Sequence, residues 1–262
     1  MRKKLFALSA PGLLALSVVT SADDSVPTRT ESLNSLSYNA GLFSQYIFRG
    51  LTQTGEKPAL QGGVDYSHSS GFYAGAWASN VSWLEDAGAY QNSSLEMDFY
   101  GGYARTLGTT GLGYDAGVLQ YIYPGDKNPG IKAAQTTEVY ASLGYDWLSA
   151  KASVVASNGA FGFADAAGSW YVELNAAYTS GATGFGIEAH YGRQEFAGKA
   201  GGVDNSFFDY SDWKIGISKS WDNDVNVGVY YTDTNADRNF WTDASKQYLG
   251  DGQFSVFAQK VF

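Results

Sequence analysis

Thr137-Glu138-Val139-Tyr140-Ala141-Ser142-Leu143-Gly144-Tyr145-Asp146-Trp147-Leu148-Ser149-Ala150-Lys151-Ala152-Ser153-Val154-Val155 is the stretch on which the fold turns. In its first half Thr137, Val139, Ala141, Leu143 and Tyr145 alternate with Glu138, Tyr140, Ser142, Gly144 and Asp146. A period of two puts one set on each face of a β-strand. A second run, near 149–157, follows after a gap of only two residues, which predicts a tight hairpin.

Outward from this hairpin the same period recurs. Trp170, Val172, Leu174, Ala176 and Tyr178 alternate with Tyr171, Glu173, Asn175, Ala177 and Thr179. Val225, Val227, Val229 and Tyr231 alternate with Asn226, Gly228, Tyr230 and Thr232. About twelve segments emerge, near 36–49, 59–67, 72–80, 94–106, 112–123, 136–146, 149–157, 169–179, 184–194, 211–221, 225–233 and 252–262. Soluble strands average roughly five or six residues, whereas a tilted membrane-spanning strand needs roughly nine to eleven. These segments are of the longer kind. The gaps between them run about 9, 4, 13, 5, 12, 2, 11, 4, 16, 3 and 18 residues, long and short in strict alternation. A transmembrane β-barrel sorts its connections in this way, with short periplasmic turns and long extracellular loops. The expected fold is therefore an all-β, antiparallel, up-and-down transmembrane barrel of about twelve strands over residues 35–262.

Composition agrees. The 262 residues include 32 glycines, 5 prolines, 19 tyrosines, 15 phenylalanines and 7 tryptophans, and no cysteine. Charged residues are 16%, and the net charge is −9. An acidic chain with no basic block is a poor nucleic-acid binder. Without cysteine, disulfides and Cys-ligated metal are excluded. No cofactor or metal site is read from the remaining residues. The N-terminus carries Arg2, Lys3 and Lys4, then an apolar run to Thr20, then Thr20-Ser21-Ala22. This reads as a signal peptide over 1–22, whose removal takes three positive charges and brings the net charge to −12. Residues 23–34 read as a short flexible N-terminus.

Aromatic placement gives the barrel its polarity. Tyr38, Tyr66, Phe72, Tyr103, Tyr145, Tyr178, Phe185, Trp221 and Phe262 fall at the periplasmic ends of the segments, mostly on the apolar face. Such a girdle marks a membrane interface. Phe48, Trp170, Tyr191, Trp213, Tyr231 and Phe254 lie toward the opposite ends and form a second girdle. The apolar face then meets outer-membrane lipid and lipopolysaccharide. The terminal Phe262, closing an alternating strand, reads as the signal for the barrel-assembly machinery. Lys260 lies on the lipid face, close enough to the interface to snorkel.

Ser44-Gln-Tyr-Ile-Phe-Arg-Gly50, Pro58-Ala-Leu-Gln-Gly-Gly-Val-Asp-Tyr-Ser67 and Gly71-Phe-Tyr-Ala-Gly-Ala-Trp-Ala-Ser-Asn80, with Tyr121-Ile-Tyr-Pro-Gly125, Glu138-Val-Tyr140 and Asp212-Trp-Lys214 further on, carry a family resemblance. The chain resembles the TorF-like family of proposed outer-membrane porins, also known as the Gcw_chp conserved-hypothetical family. The similarity covers nearly the whole mature chain, with Gln45 where the family pattern has Asp. It implies a location in the outer membrane of a Gram-negative bacterium and a pore. It brings no substrate and no functional residues.

With the apolar face outward, the charged residues pointing inward are Arg49, Asp65, Glu96, Asp98, Asp115, Glu138, Asp146, Lys151, Glu173, Glu188, His190, Asp212 and Lys214. Twelve tilted strands enclose a backbone diameter of roughly 22–24 Å. The space holds either a narrow aqueous path or a folded-in loop. An acid-rich lumen favours cations, although the same charges also serve as ion pairs stiffening the wall. The reading is a porin-like channel, not an enzyme, for passive diffusion of small polar or ionic solutes with a weak cation preference. Its rival is a non-conducting barrel whose long loops 195–210 and 234–251 bind a partner through Phe207, Phe208, Tyr210, Phe240 and Trp241.

Other patterns are weaker. Gly111-Leu-Gly113-Tyr-Asp-Ala116 has dinucleotide-motif letters without the βαβ unit that gives them meaning. Asp233-Thr-Asn235-Ala-Asp237 has calcium-loop spacing, but Arg238 occupies the glycine position. His68 falls in a turn. His190 is expected opposite Glu173, a lumen hydrogen bond in preference to a catalytic pair.

Overall fold

The computed structural model describes residues 33–262 and, before them, only a pairing of Ser9–Ala10 with Leu13–Leu14. The leader read at 1–22 and most of the segment 23–34 otherwise lie outside the described residues. Twelve antiparallel strands close into one barrel: β1 Asn34–Phe43, β2 Ala59–His68, β3 Phe72–Asn80, β4 Leu95–Thr106, β5 Leu112–Ile122, β6 Thr136–Tyr145, β7 Leu148–Val155, β8 Trp170–Thr179, β9 Phe185–Glu195, β10 Tyr210–Ser220, β11 Val225–Thr234 and β12 Gln253–Val261. Each strand pairs with its sequence neighbours. β12 closes the ring on β1, with Phe257 opposite Phe43 and Val261 opposite Asn39. Beyond the strand, Phe262 and Tyr38 exchange two backbone hydrogen bonds of 2.8 and 3.3 Å, so the terminal residue seals the seam.

The connections alternate as expected. Those at 69–71, 107–111, 146–147, 180–184 and 221–224 are short, and those at 44–58, 81–94, 123–135, 156–169, 196–209 and 235–252 are long. The opening hairpin forms with Tyr145 opposite Leu148. Its turn contains Asp146 at φ 53°, so this acid is an exposed turn residue and not a lumen group. Gly111 lies in a turn at φ 76°, and 112–116 continues into β5, which removes the dinucleotide reading.

The two faces of the wall are inverted relative to a water-soluble barrel. Outward-pointing Leu42, Leu60, Phe72, Phe185, Ile187 and Phe254 are each 62–64% exposed, whereas inward-pointing Glu96, Asp98, Glu138, Glu173 and Asp212 are 1–3% exposed. An apolar belt around the whole ring would aggregate in water; hydrocarbon satisfies it. Strands of eight to twelve residues, tilted by about 40°, span roughly the 25 Å apolar band of an outer membrane. Among the described residues no helix is long and apolar enough to cross a membrane.

Both girdles are present. Tyr38, Tyr66, Phe72, Tyr145, Tyr178, Phe185, Trp221 and Phe262 are exposed at the short-turn end. At the other end Tyr191, Trp213 and Phe254 are exposed, and Tyr231 packs between Trp213 and Phe254 at centroid distances of 5.5 and 4.8 Å. Outward-facing Lys219 and Lys260 sit at the short-turn end, whereas Arg193 faces outward at the long-loop end beside Glu195 and Asp209. The Lys260 ammonium lies 5.1 Å from the Phe262 ring, and that of Lys219 lies 5.0 Å from Phe185 while donating to the Thr183 carbonyl. This is the snorkelling expected of Lys260, and Lys219 adds a second case.

The largest departure is at the end of the first segment, expected to run to 49. β1 stops at Phe43. Ser44 N still bonds Val256 O at 2.8 Å, and the Gln45 amide donates to Phe254 O at 2.8 Å, a bond that an aspartate there could not make. The chain then leaves the wall and turns inward. Ile47–Phe48 pairs with Leu51–Thr52 around Arg49 and Gly50, both left-handed at φ 48° and 78°. Only glycine fits at 50, because a β-carbon would collide with the Thr234 and Asp212 side chains. Phe48 therefore belongs to the lumen and not to the outer girdle.

Candidate functional site: an arginine-tipped loop across the lumen

The loop 44–58 carries Arg49 to the far side of the barrel. Nη2 of Arg49 donates to both carboxylate oxygens of Glu138 at 2.9 and 2.7 Å, and Nη1 donates to Gln194 Oε1 at 2.7 Å. Glu138 is on β6 and Gln194 on β9, across the ring from β1, which launches the loop. The guanidinium carbon lies 4.2 Å from the Tyr171 ring centroid and 4.7 Å from that of Phe48. A planar cation between aromatic faces with a carboxylate at its edge suits arginine and not lysine. The Tyr121 hydroxyl donates to Glu138 Oε2 at 3.2 Å and helps hold the acceptor.

The base of the loop is fastened too. The Tyr46 hydroxyl donates to Glu96 Oε1 at 3.0 Å, and Tyr46 N donates to Thr54 Oγ1 at 3.1 Å. Glu96 and Asp98 are inward neighbours on β4. Both Asp98 oxygens and Glu96 Oε2 are buried without a hydrogen-bond partner.

Tyr171 links this crossing to a second network. Its hydroxyl donates to Asp212 Oδ2 at 2.9 Å and lies 2.9 Å from His190 Nε2. His190 Nε2 is 3.0 Å from Asp212 Oδ1, and Nδ1 is 2.7 Å from Asn175 Oδ1 and 3.5 Å from Glu173 Oε2. Across the turn at 180–184 the first paired residues are Thr179 and Gly186, a register shifted by two residues from the one expected. This sets Asn175, not Glu173, directly opposite His190 and leaves Glu173 as a diagonal partner. Lys214 Nζ pairs with Glu188 Oε2 at 3.3 Å. Toward the short-turn end Tyr73 donates to Asp115 at 2.7 Å and meets the Tyr140 hydroxyl, while Tyr100 donates to Asp65 at 2.5 Å. The Lys151 ammonium lies 4.6 Å from the Tyr140 ring.

All twelve lumen residues other than Asp146 thus point inside, eleven from the wall and Arg49 from the loop. What the sequence reading missed are the inward phenols that organise them: Tyr46, Tyr73, Tyr100, Tyr121, Tyr140 and Tyr171. A signal existed in the inward glycines on neighbouring strands, which make room for these rings. At Gly192 a β-carbon would overlap the Tyr171 hydroxyl and crowd Asp212. Gly192→Ala is expected to destabilise the barrel by about 1–3 kcal/mol through overpacking and to displace Tyr171. A thermal melt followed by circular dichroism would measure this, and an unchanged melting temperature would refute the close fit.

Two cavities meet at Arg49. One, of about 100 Å³, lies inside the barrel and is lined by Tyr171, Glu173, Glu188, His190, Asp212 and Lys214. The other, of about 190 Å³, lies under the long loops among Phe48, Phe161, Phe163, Phe208, Phe240 and Trp241. Arg49 borders both.

A closed twelve-stranded meander, apolar outside and charged inside, with a long loop folded into the lumen, defines an outer-membrane porin-like β-barrel. Solved structures of that class match over nearly the full length. A KdgM porin aligns at a TM-score of 0.53 with 11% identity, covering 86% of this chain and 99% of that one. A KdgM porin in complex with disordered oligogalacturonate aligns at 0.50 with 9% identity, covering 87% and 98%. OprD of Pseudomonas aeruginosa shows a weaker likeness, with a TM-score of 0.41 and 12% identity over 87% of this chain and 66% of that one. No curated protein matches the chain in sequence. The chain belongs to the Gcw_chp family, described as bacterial protein of unknown function, whose model matches residues 28–262.

Proposed function

We propose that this chain is an outer-membrane channel of a Gram-negative bacterium, inserted after its leader is removed, through which small polar solutes diffuse passively with a weak preference for cations. The observation that carries the reading is the crossing of the lumen by loop 44–58, whose Arg49 borders both a cavity inside the barrel and one under the long loops. A barrel serving only as a scaffold has no use for a polar interior narrowed by one positioned side chain. The short-turn end faces the periplasm and the long loops face outward. Assembly proceeds through the strand ending in Phe262, and the apolar belt meets lipid and lipopolysaccharide.

The charge balance supports the cation preference. Asp65, Glu96, Asp98, Asp115, Glu138, Glu173, Glu188 and Asp212 face Arg49, Lys151 and Lys214 inside the barrel. Arg49 is neutralised by Glu138 and Lys214 by Glu188, and the remaining lumen acids outnumber Lys151. Carboxylate-lined pores favour cations. The oligogalacturonate of the KdgM complex is an anionic oligosaccharide, and an acid-rich lumen gives no ground for carrying that ligand over. His190 reads as part of a hydrogen-bonded wall network, consistent with a channel in place of an enzyme.

The test is single-channel recording of the refolded barrel in a planar bilayer under a KCl gradient. Discrete steps with a reversal potential favouring K⁺ are expected. Glu173→Gln with Glu188→Gln should move that potential toward zero. Steps that favour Cl⁻ would overturn the cation preference. Silence from a folded barrel would overturn the channel and favour loop-mediated binding, because Phe207 and Phe240 stack on each other at 5.4 Å on the exposed loop surface.

A further inference from the structure

Both ring nitrogens of His190 face hydrogen-bond acceptors. Nδ1 lies 2.7 Å from Asn175 Oδ1 and 3.5 Å from Glu173 Oε2. Nε2 lies 3.0 Å from Asp212 Oδ1 and 2.9 Å from the Tyr171 hydroxyl oxygen. A further group sets the orientation of each neutral partner. The Asn175 amide nitrogen donates to Glu173 Oε2 at 3.2 Å, and the reversed amide would set its oxygen against that carboxylate. The one proton of the Tyr171 hydroxyl goes to Asp212 Oδ2 at 2.9 Å, which leaves a lone pair toward Nε2. Were that proton turned to Nε2, a bare ring nitrogen would face Asp212 Oδ1 and Oδ2 would lose its donor. A neutral imidazole has one N–H and one lone pair, whereas an imidazolium has two N–H groups. Acceptors at both nitrogens fit the imidazolium, because a neutral ring sets one lone pair against oxygen.

The charges around the ring agree. β8 presents Asn175 directly opposite, with Glu173 and Tyr171 beyond it. β10 presents Lys214 directly opposite, with Asp212 beyond it. Glu188 is the inward neighbour on β9 itself, and Tyr230 of β11 borders the same cavity. The nearby cations are already engaged. Lys214 pairs with Glu188 at 3.3 Å. Arg49 comes to 4.2 Å from the Tyr171 ring but pairs with Glu138. Lys151 of β7 stands across from Glu173. Asp212 is left with His190 as its one ion-pair partner among the described residues. A buried carboxylate without a cation is costly, and His190 supplies that cation. His190 also lines the inner cavity that Arg49 borders, so its charge acts on ions in the lumen.

We propose that His190 is a selectivity-setting residue of the pore: as an imidazolium it offsets one lumen acid, and loss of its proton strengthens the cation preference. The proposal rests on the channel reading, but the charge of the ring is measured separately from conduction. The refolded barrel, with isotope-labelled histidine nitrogens and with His68→Gln removing the second signal, is followed by NMR from about pH 5 to about pH 9, the range that brackets histidine titration. Both ring nitrogens are expected to carry protons at the acid end and only one at the alkaline end. In planar bilayers under a KCl gradient, the parent and His190→Gln should share one K⁺/Cl⁻ permeability ratio at the alkaline end. At the acid end the parent ratio should fall roughly two- to fivefold below that of the variant, the effect of one unit charge at about 8 Å through water. The comparison isolates position 190, because the other lumen acids titrate alike in both proteins. A bare ring nitrogen at the acid end would overturn the proposal, as would two protons persisting to the alkaline end. Equal ratios at both ends in a conducting barrel would overturn it and leave the channel standing. A silent barrel would sink the channel reading and the selectivity role together. Should His190→Gln not fold, the parent's ratio must still rise over the pH range in which its ring loses a proton, and a ratio that does not would overturn the role.

Discussion

Arg49→Ala is expected to widen the lumen and to destabilise the barrel at the same time. In the native protein the guanidinium is 6% exposed and its Glu138 partner 2%. Removing it strands the Glu138 carboxylate and the Gln194 amide oxygen in the wall. Breaking one partner of a buried pair costs about 3–5 kcal/mol, the upper end applying only if water stays out. The loop keeps its anchor at Tyr46–Glu96 and the 3.0 Å bond from Thr52 N to Leu249 O, so its tip loosens without leaving the lumen. Unit conductance should rise on the order of twofold or more as the hydrophilic constriction is lost, with added current noise. Adding Glu138→Gln should restore much of the stability by removing the stranded charge, and conductance should stay high. Conductance indistinguishable from the parent would mean that solutes do not pass Arg49.

Ile215→Arg is the second large effect. Ile215 is the middle residue of β10, points outward, is 57% exposed and lies between Ala189 and Tyr231 on the flanking strands. At the middle of a bilayer an outward arginine costs about 2–4 kcal/mol. On the outside of a soluble barrel the same change would stay within about ±0.5 kcal/mol. The experiment is urea unfolding in phosphatidylcholine vesicles followed by tryptophan fluorescence. A shift below 1 kcal/mol would contradict a lipid-facing position for this residue. The contrast with native Lys219 and Lys260 is one of depth: near the strand ends a long side chain reaches the interface past an aromatic ring, and at position 215 it cannot.

These two residues also mark where sequence reading works and where it fails. Ile215 sits in an alternating run, so its outward direction follows from the two-residue period, and the hairpin 136–155 shows the same logic at its clearest. The neighbouring segments 211–221 and 225–233 were placed within about one residue of β10 and β11. Arg49 lay at the end of the segment read as 36–49, and that reading continued the strand. The chain instead bends inward there. The cause is a set of partners far away in sequence: Gln194, Glu138 and Tyr171 for Arg49, and Glu96 for Tyr46. His190 is an intermediate case, placed inside by period alone but given Asn175 as its facing residue by a hairpin register two residues from the expected one.

The sequence by itself determined the twelve strands, their order, the face taken by side chains within the wall and the sorting of short turns from long loops. All of these follow from local alternation and from gap length, and they are repeated around the ring. Only the tertiary structure decided that the first long loop crosses the lumen, that Arg49 meets Glu138 there, that inward phenols carry the polar network and that the outer loops frame a cavity. Those features depend on contacts between residues far apart in sequence, such as Arg49 and Gln194 at a separation of 145 positions. Such contacts exist only once the ring has closed, because closure alone brings β6, β8 and β9 opposite the loop that leaves β1.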